Sequence, residues 1–151
     1  MADYFKGEFT ISTDPGLLDI DVIQRYLNEE SYWAHDRSRE IIERSIRCSF
    51  CFGVYTTKDG PPRQIGFARI VSDFATVAYM ADVFILPDYQ GQGLGKWLVE
   101  TILNHPDLKT VRRWILYTSS AHDLYRRFGF ETARDQDSYM SYYPSTDITD
   151  H

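Results

Sequence analysis

A chain of 151 residues with 43% hydrophobic, 25% charged and 15% aromatic residues has the composition of an ordinary folded domain, and such a length buries roughly two-thirds of its unfolded surface. Global disorder is excluded, and no apolar run approaches the ~18 residues needed to span a bilayer. The net charge of -6 gathers at the ends, four net negative charges in residues 1–24 and four in 131–151, which leaves no continuous cationic face for nucleic acid or an anionic membrane.

Residues 1–6 (MADYFK) lack the basic flank and apolar core of an export leader. Cys48 and Cys51 are too few to staple a secreted domain, so one soluble cytoplasmic domain over residues 1–151 is expected. Residues 7–12 (GEFTIS) alternate like a strand, and Asp14-Pro15-Gly16 breaks it. Leu17, Ile20, Ile23 and Leu27 then recur at helical spacing, with Asp14 or Asp19 placed to cap. Ser38 caps a second short helix that buries Ile42 and Ile46. Residues 49–57 and 64–72 are β-rich runs around a Pro- and Gly-containing turn, and residues 77–86 (VAYMADVFIL) read as a central strand buried on both faces. Pro87 ends that strand. A helical stripe of Leu94, Leu98, Val99, Ile102 and Leu103 follows, then a strand at 114–118, a helix capped by Ser119 or Ser120 and running to about Phe128, and two last strands from Phe130 and over 138–143. The expected fold is α/β, of α+β type, in the order β-α-α-β-β-β-α-β-α-β-β: a mixed, mostly antiparallel central sheet flanked by helices.

Chemistry concentrates in residues 87–96 (PDYQGQGLGK), which join the buried strand directly to an amphipathic helix. Three glycines permit close backbone approach while the first unpaired N–H groups of the helix point outward, an arrangement that suits phosphate. A P-loop is excluded, because the residue five before Gly95 is Gln90 and Trp97 follows Lys96; the dinucleotide pattern fails at Lys96. What fits is Gln/Arg-x-x-Gly-x-Gly/Ala, read as Gln90-Gly91-Gln92-Gly93-Leu94-Gly95. Downstream stands Ala121-His122-Asp123-Leu124-Tyr125, followed by Arg126, Arg127, Phe128, Gly129 and Phe130.

These two segments, in register on the expected elements, resemble the signatures of the GNAT superfamily of acyl-CoA-dependent N-acyltransferases. The resemblance covers nearly the whole chain and implies an N-acetyltransferase that uses acetyl-CoA as cosubstrate, with no metal. It implies that the strand backbone at Val83, Phe84 and Ile85 holds the pantetheine arm, that Gln90 and the N–H groups from Gly91 through Gln92, Gly93, Leu94 and Gly95 to Lys96 hold the pyrophosphate, and that Tyr125 is the general acid beside the cofactor sulfur. Many members carry Asn seven residues before that Tyr. Here Thr118 stands there, and a hydroxyl cannot offer both functions of an amide to the cofactor.

Elementary chemistry supports the Tyr. Attack of an amine on a thioester expels a thiolate whose acid has a pKa near ~8.5, against ~10 for Tyr, so full proton transfer is uphill by about 2 kcal/mol. A hydrogen bond to the developing thiolate suffices. The acceptor amine, with a Lys-like pKa near ~10.4, must lose a proton first. Asp82, a lone carboxylate in an apolar strand, is either that base or an ion-pair partner of an Arg such as Arg69 or Arg113; Tyr79, Glu100 and a water relay are further routes.

Cys48 and Cys51 have C-x-x-C spacing, but in a strand they face opposite sides, which fits packing better than metal or redox chemistry. His35, His105, His122 and His151 show no metal spacing. Tyr32, Trp33, Tyr139, Tyr142 and Tyr143 are candidate linings of an acceptor pocket, and Arg112, Arg113, Arg126 and Arg127 are candidate contacts for a nucleotide phosphate. The expected partners are acetyl-CoA and a small amine or peptide amine; nucleic acid and membranes are not expected, and a homodimer is compatible with the sequence. A catalytically silent acyl-CoA sensor, or an interaction module using the acidic ends, is the alternative to an enzyme.

Overall fold

Gly7, at φ +60°, turns the chain between β1 (Asp3–Lys6) and β2 (Phe9–Ser12), so the single strand expected at residues 7–12 is the second arm of a hairpin. The structure is a computed structural model that describes residues 3–31 and 36–144, in two compact units that divide between Tyr117 and Thr118. In the first unit both candidate acidic caps are used, each on its own turn. Asp14 accepts from the Gly16 N–H at 2.9 Å and starts a 3₁₀ turn over Pro15–Leu17. Asp19 accepts from Asp21 and Val22 and caps α1 (Ile20–Glu29), which therefore begins later than Leu17. Ser38 accepts from the Ile41 N–H at 3.2 Å and caps α2 (Arg39–Arg47). Ile23 and Leu27 of α1 are buried with Ile42 and Ile46 of α2 against Cys51, Phe67 and Phe84.

The sheet is completed by β3 (Phe50–Thr56), β4 (Arg63–Ser72), β5 (Val77–Ile85) and β6 (Arg113–Ile115), in the order β1-β2-β3-β4-β5-β6. All neighbours are antiparallel except β5 and β6, whose parallel pairing requires the crossover supplied by α3 (Leu94–Asn104). Cys51 packs with α1 and α2, whereas its neighbours Phe50 and Phe52 meet His105, the residue that ends α3. Alternation along a strand thus puts α3 on the opposite face. β5 is not buried on both faces throughout: Val77 and Tyr79 are exposed, and near-continuous burial begins at Met80. Cys48 is exposed while Cys51 is buried, and burial pushes the Cys51 thiol up to about 12, so that sulfur is an inert core atom at neutral pH.

His105 is buried between the edges of Phe50 and Phe52, and its Nδ1 accepts from the Asp107 N–H at 3.0 Å. Burial lowers its pKa from the ordinary value. Below about 6.5 the unfolded chain therefore binds a proton that the folded chain resists, and stability is lost as pH falls from there toward the lowered folded value. The melting temperature should drop between pH 7.5 and 5.5, and His105→Asn, which keeps an acceptor for Asp107 but cannot titrate, should flatten that drop. An unchanged pH slope in the Asn variant would show that the loss originates elsewhere.

In the second unit, Thr118 Oγ1 accepts from the Ala121 N–H at 3.0 Å just before α4 (His122–Arg126), whose N-cap is Ala121 with no side-chain cap bond in place of the expected Ser119 or Ser120. The helix stops short of Phe128 because the chain closes it. The Phe130 N–H returns to Tyr125 O at 3.2 Å and the Gly129 N–H to Arg126 O at 3.1 Å, with Gly129 at φ +95° and the rings of Tyr125 and Phe130 in edge contact. This pairing of two bonds, a left-handed glycine and an apolar contact is a Schellman stop. The two last strands do not form among the described residues, where 130–144 hold only a 3₁₀ turn at Gln136–Ser138. Local bonds win there: Arg134 pairs with Glu131 at 2.9 Å, and the Ser138 hydroxyl donates to Asp135 O at 2.7 Å. Tyr139, Met140, Tyr142 and Tyr143 have strand-like composition but stand exposed, and β-propensity without a packed face does not make a strand.

Candidate functional site

β5 leaves the sheet through a rigidly built loop. Leu86 continues the ladder to Ile65 O at 2.8 Å, and Pro87–Tyr89 form a 3₁₀ turn whose Tyr89 hydroxyl accepts from Arg63. The Gln90 amide donates to Ile85 O at 2.8 Å and ties the loop to β5, while the Gln92 amide donates to Tyr89 O at 3.1 Å and ties it to the 3₁₀ turn. Gly91 and Gly93 lie at φ +82° and +84°, a left-handed backbone that glycine adopts without strain. Gly93 caps α3 and offers no side chain, so the N–H groups of Leu94, Gly95 and Lys96 open the helix with no cap between them and solvent.

Gly95 is the informative glycine. It is helical, it is not among the residues at positive φ, and a Cβ built there meets no atom within 4 Å. Neither backbone geometry nor packing requires it, although glycine in a helix costs up to about 1 kcal/mol against alanine. Its bare Cα puts no side chain beside the amides that open α3.

Upstream, β5 is interrupted. Phe67 faces Phe84 while Arg69 faces Ala81, two steps on β4 against three on β5, which is a bulge with one extra residue. Asp82 lies in it at φ +54°, a conformation that Asp tolerates better than bulky residues. Its Oδ2 accepts from Arg69 Nε and from Arg37 Nη1, each at 2.9 Å. Of the two roles the sequence offers Asp82, the ion pair to Arg69 is present. Arg37 is an added partner that spacing could not supply, since it lies 45 residues away in the connection between α1 and α2. The ladder to β6 pairs Val77, Ala78 and Tyr79 and then ends, so at Val83, Phe84 and Ile85 the edge of β5 on that side runs without a paired strand among the described residues.

In the second unit, Tyr125 is buried and its ring is fixed by Phe130, so the Leu-Tyr-x-x-x-Gly-Phe segment is also the stop signal of α4. Thr118 uses its hydroxyl to hold the approach to that helix. Tyr139, Tyr142 and Tyr143 are exposed, as are Lys96, His122, Arg112, Arg113, Arg126 and Arg127; Tyr32, Trp33, His35 and His151 lie outside the described residues.

A sequence model of the acetyltransferase (GNAT) domain matches residues 50–132, more than half of the chain and across the division between the units. The chain belongs to the GNAT acetyltransferase family. A protein of Gibberella zeae that bears an acetyltransferase name is 32% identical over 89% of this chain and 86% of its own length. A crystal structure of a GNAT family protein from Xanthomonas campestris is 44% identical with a TM-score of 0.84, over 89% of this chain and 92% of that one. A histone acetyltransferase of Glycine max is 38% identical over 55% of this chain, a stretch that covers only 36% of that protein. A Clostridium acetobutylicum structure solved with acetyl-CoA shares the fold at 15% identity and a TM-score of 0.65, over 89% of this chain and 94% of that one. This GNAT protein is thus an acyl-CoA-dependent acetyltransferase on a mixed α/β fold, and none of its described helices is long and apolar enough to cross a membrane.

Proposed function

We propose that the whole chain is one catalytic domain that moves the acetyl group of acetyl-CoA to a primary amine by direct attack within a ternary complex. The observation that carries this reading is Gly95, a helical glycine that neither φ nor packing requires, opening α3 beside Gly91 and Gly93. The amides at 91–96, the dipole of an eleven-residue helix and the charge of Lys96 make a cradle for a pyrophosphate. The edge of β5 at Val83, Phe84 and Ile85 accepts the pantetheine arm as an added strand, in the manner of strand augmentation.

Acetyl-CoA supplies an activated acyl carbon; the amine nitrogen forms a bond to it and the carbon–sulfur bond breaks. Tyr125 gives its phenolic proton to the departing sulfur and recovers one from solvent. The proton lost by the amine passes to a water chain, since Oδ2 of Asp82 is already engaged by two guanidinium donors. The cysteines carry no acyl group: Cys51 is buried with a raised thiol pKa, and Cys48 ends α2, more than 40 residues before the Gly loop in sequence. The acidic ends favour cationic amines over anionic acceptors, and we assign the protein to the cytoplasm.

A thiol-release assay with acetyl-CoA over a panel of polyamines, amino sugars, lysine peptides and peptide N-termini tests the activity, with calorimetric CoA binding alongside it. Turnover with at least one amine is expected. CoA binding without turnover on any amine would favour a silent acyl-CoA sensor, and absence of CoA binding would remove the assignment.

A further inference from the structure

We propose that Arg37 is a positioning residue for acyl-CoA binding, acting through Asp82. The proposal rests on the reading of the β5 edge as the seat of the pantetheine arm. What that edge presents depends on the bulge, because the extra residue sets how far the strand beyond it turns from β4. The bulge holds a non-glycine residue at φ +54°, a conformation that persists only where surrounding contacts over-determine it.

Arg69 and Arg37 supply such contacts. Asp82 has a side chain only 4% exposed, and a buried carboxylate is tolerable only when paired. Arg69 reaches it from β4, where it pairs with the adjacent Ala81, and is itself steadied by donation to the Ser49 hydroxyl at 3.2 Å. Arg37 reaches it from a different part of the chain. Its own backbone is gripped by Asn28 of α1 in both senses: the Asn28 amide donates to Arg37 O at 3.2 Å, and the Arg37 N–H donates to Asn28 Oδ1 at 3.0 Å. The bulge is therefore held from two sides, by its neighbouring strand and by a helix connection that Asn28 anchors.

The hold passes onward through covalent structure. Three residues beyond Asp82, Ile85 O accepts from Gln90 at the start of the glycine loop, so a bulge that relaxes also loosens the carbonyl on which the loop is tied. Arg69 alone can neutralise Asp82. Arg37 supplies the second point of attachment that fixes the direction of the carboxylate. Its loss lowers the fraction of molecules in the binding-competent form, and apparent affinity falls by that fraction.

CoA itself is the probe. Calorimetric CoA affinity and melting temperature are measured for the full chain and for Arg37→Gln, Arg37→Lys, Asp82→Asn and the double variant Arg37→Gln with Asp82→Asn. Arg37 is 22% exposed, so its variants should fold. Arg37→Gln should weaken CoA binding about fivefold, Arg37→Lys, which keeps a cation on the Asn28-anchored backbone, should stay within about twofold, and the double variant should be no weaker than Asp82→Asn alone. Unchanged CoA affinity in Arg37→Gln, with only the melting temperature lowered, would overturn the proposal, as would losses that add in the double variant. Those failures leave a wild-type chain that binds CoA; a wild-type chain that does not bind it overturns the functional reading and this proposal together.

Discussion

Tyr125→Phe is expected to lower kcat by about 10- to 1,000-fold while CoA affinity stays within about twofold. The substitution deletes one hydroxyl and keeps the ring, and the ring is what packs against Phe130 in the stop that ends α4. Fold and cofactor binding should survive, so the loss falls on the step in which the carbon–sulfur bond breaks. It should shrink for acyl donors with a more acidic leaving thiol, because a thiolate that departs readily needs less proton donation. A Phe variant with wild-type kcat on a proven amine would leave solvent as the proton source. A variant that also fails to bind CoA would mean that the hydroxyl positions the cofactor instead.

The glycine loop, the downstream Tyr segment and the antiparallel core were legible because each rests on short-range rules. Gly91 and Gly93 are required by φ, Pro87 and the apolar run before it mark a strand end, and Asp14, Asp19 and Ser38 cap where residue type alone says they can. Asp82 was legible as a conflict, a charge in an apolar strand, but its resolution was not. Arg69 lies 13 residues away across a hairpin and could be named, whereas Arg37 lies 45 away and meets Asp82 only through tertiary packing of the helix connection. The bulge was hidden for the same reason, since a count of residues between paired strands exists only once the strands pair. The last two strands failed in the other direction. The aromatic run near residue 140 has the right composition, but just before it the Ser138 hydroxyl and the N–H groups of Ser138 and Tyr139 bond backbone carbonyls of their own turn, and Arg134 pairs locally with Glu131.

Gly95→Ala should move stability and binding in opposite directions, which makes it the cleanest probe of the loop. At Gly91 or Gly93 a side chain strains a left-handed backbone, and a weaker ligand could then reflect a damaged loop. Gly95 is helical and its added methyl meets nothing in the chain, so the variant should melt higher, by up to the ~1 kcal/mol that separates the two residues in a helix. The same methyl stands over the amides that open α3, where a pyrophosphate must come within hydrogen-bond distance. CoA affinity should fall at least about tenfold, or 1.4 kcal/mol, and further for Gly95→Val, whose two extra methyls reach farther over the same amides. A higher melting temperature with undiminished CoA affinity in both variants would mean that the phosphates do not approach the backbone here, and the choice of glycine at 95 would then have no explanation in either the fold or the ligand.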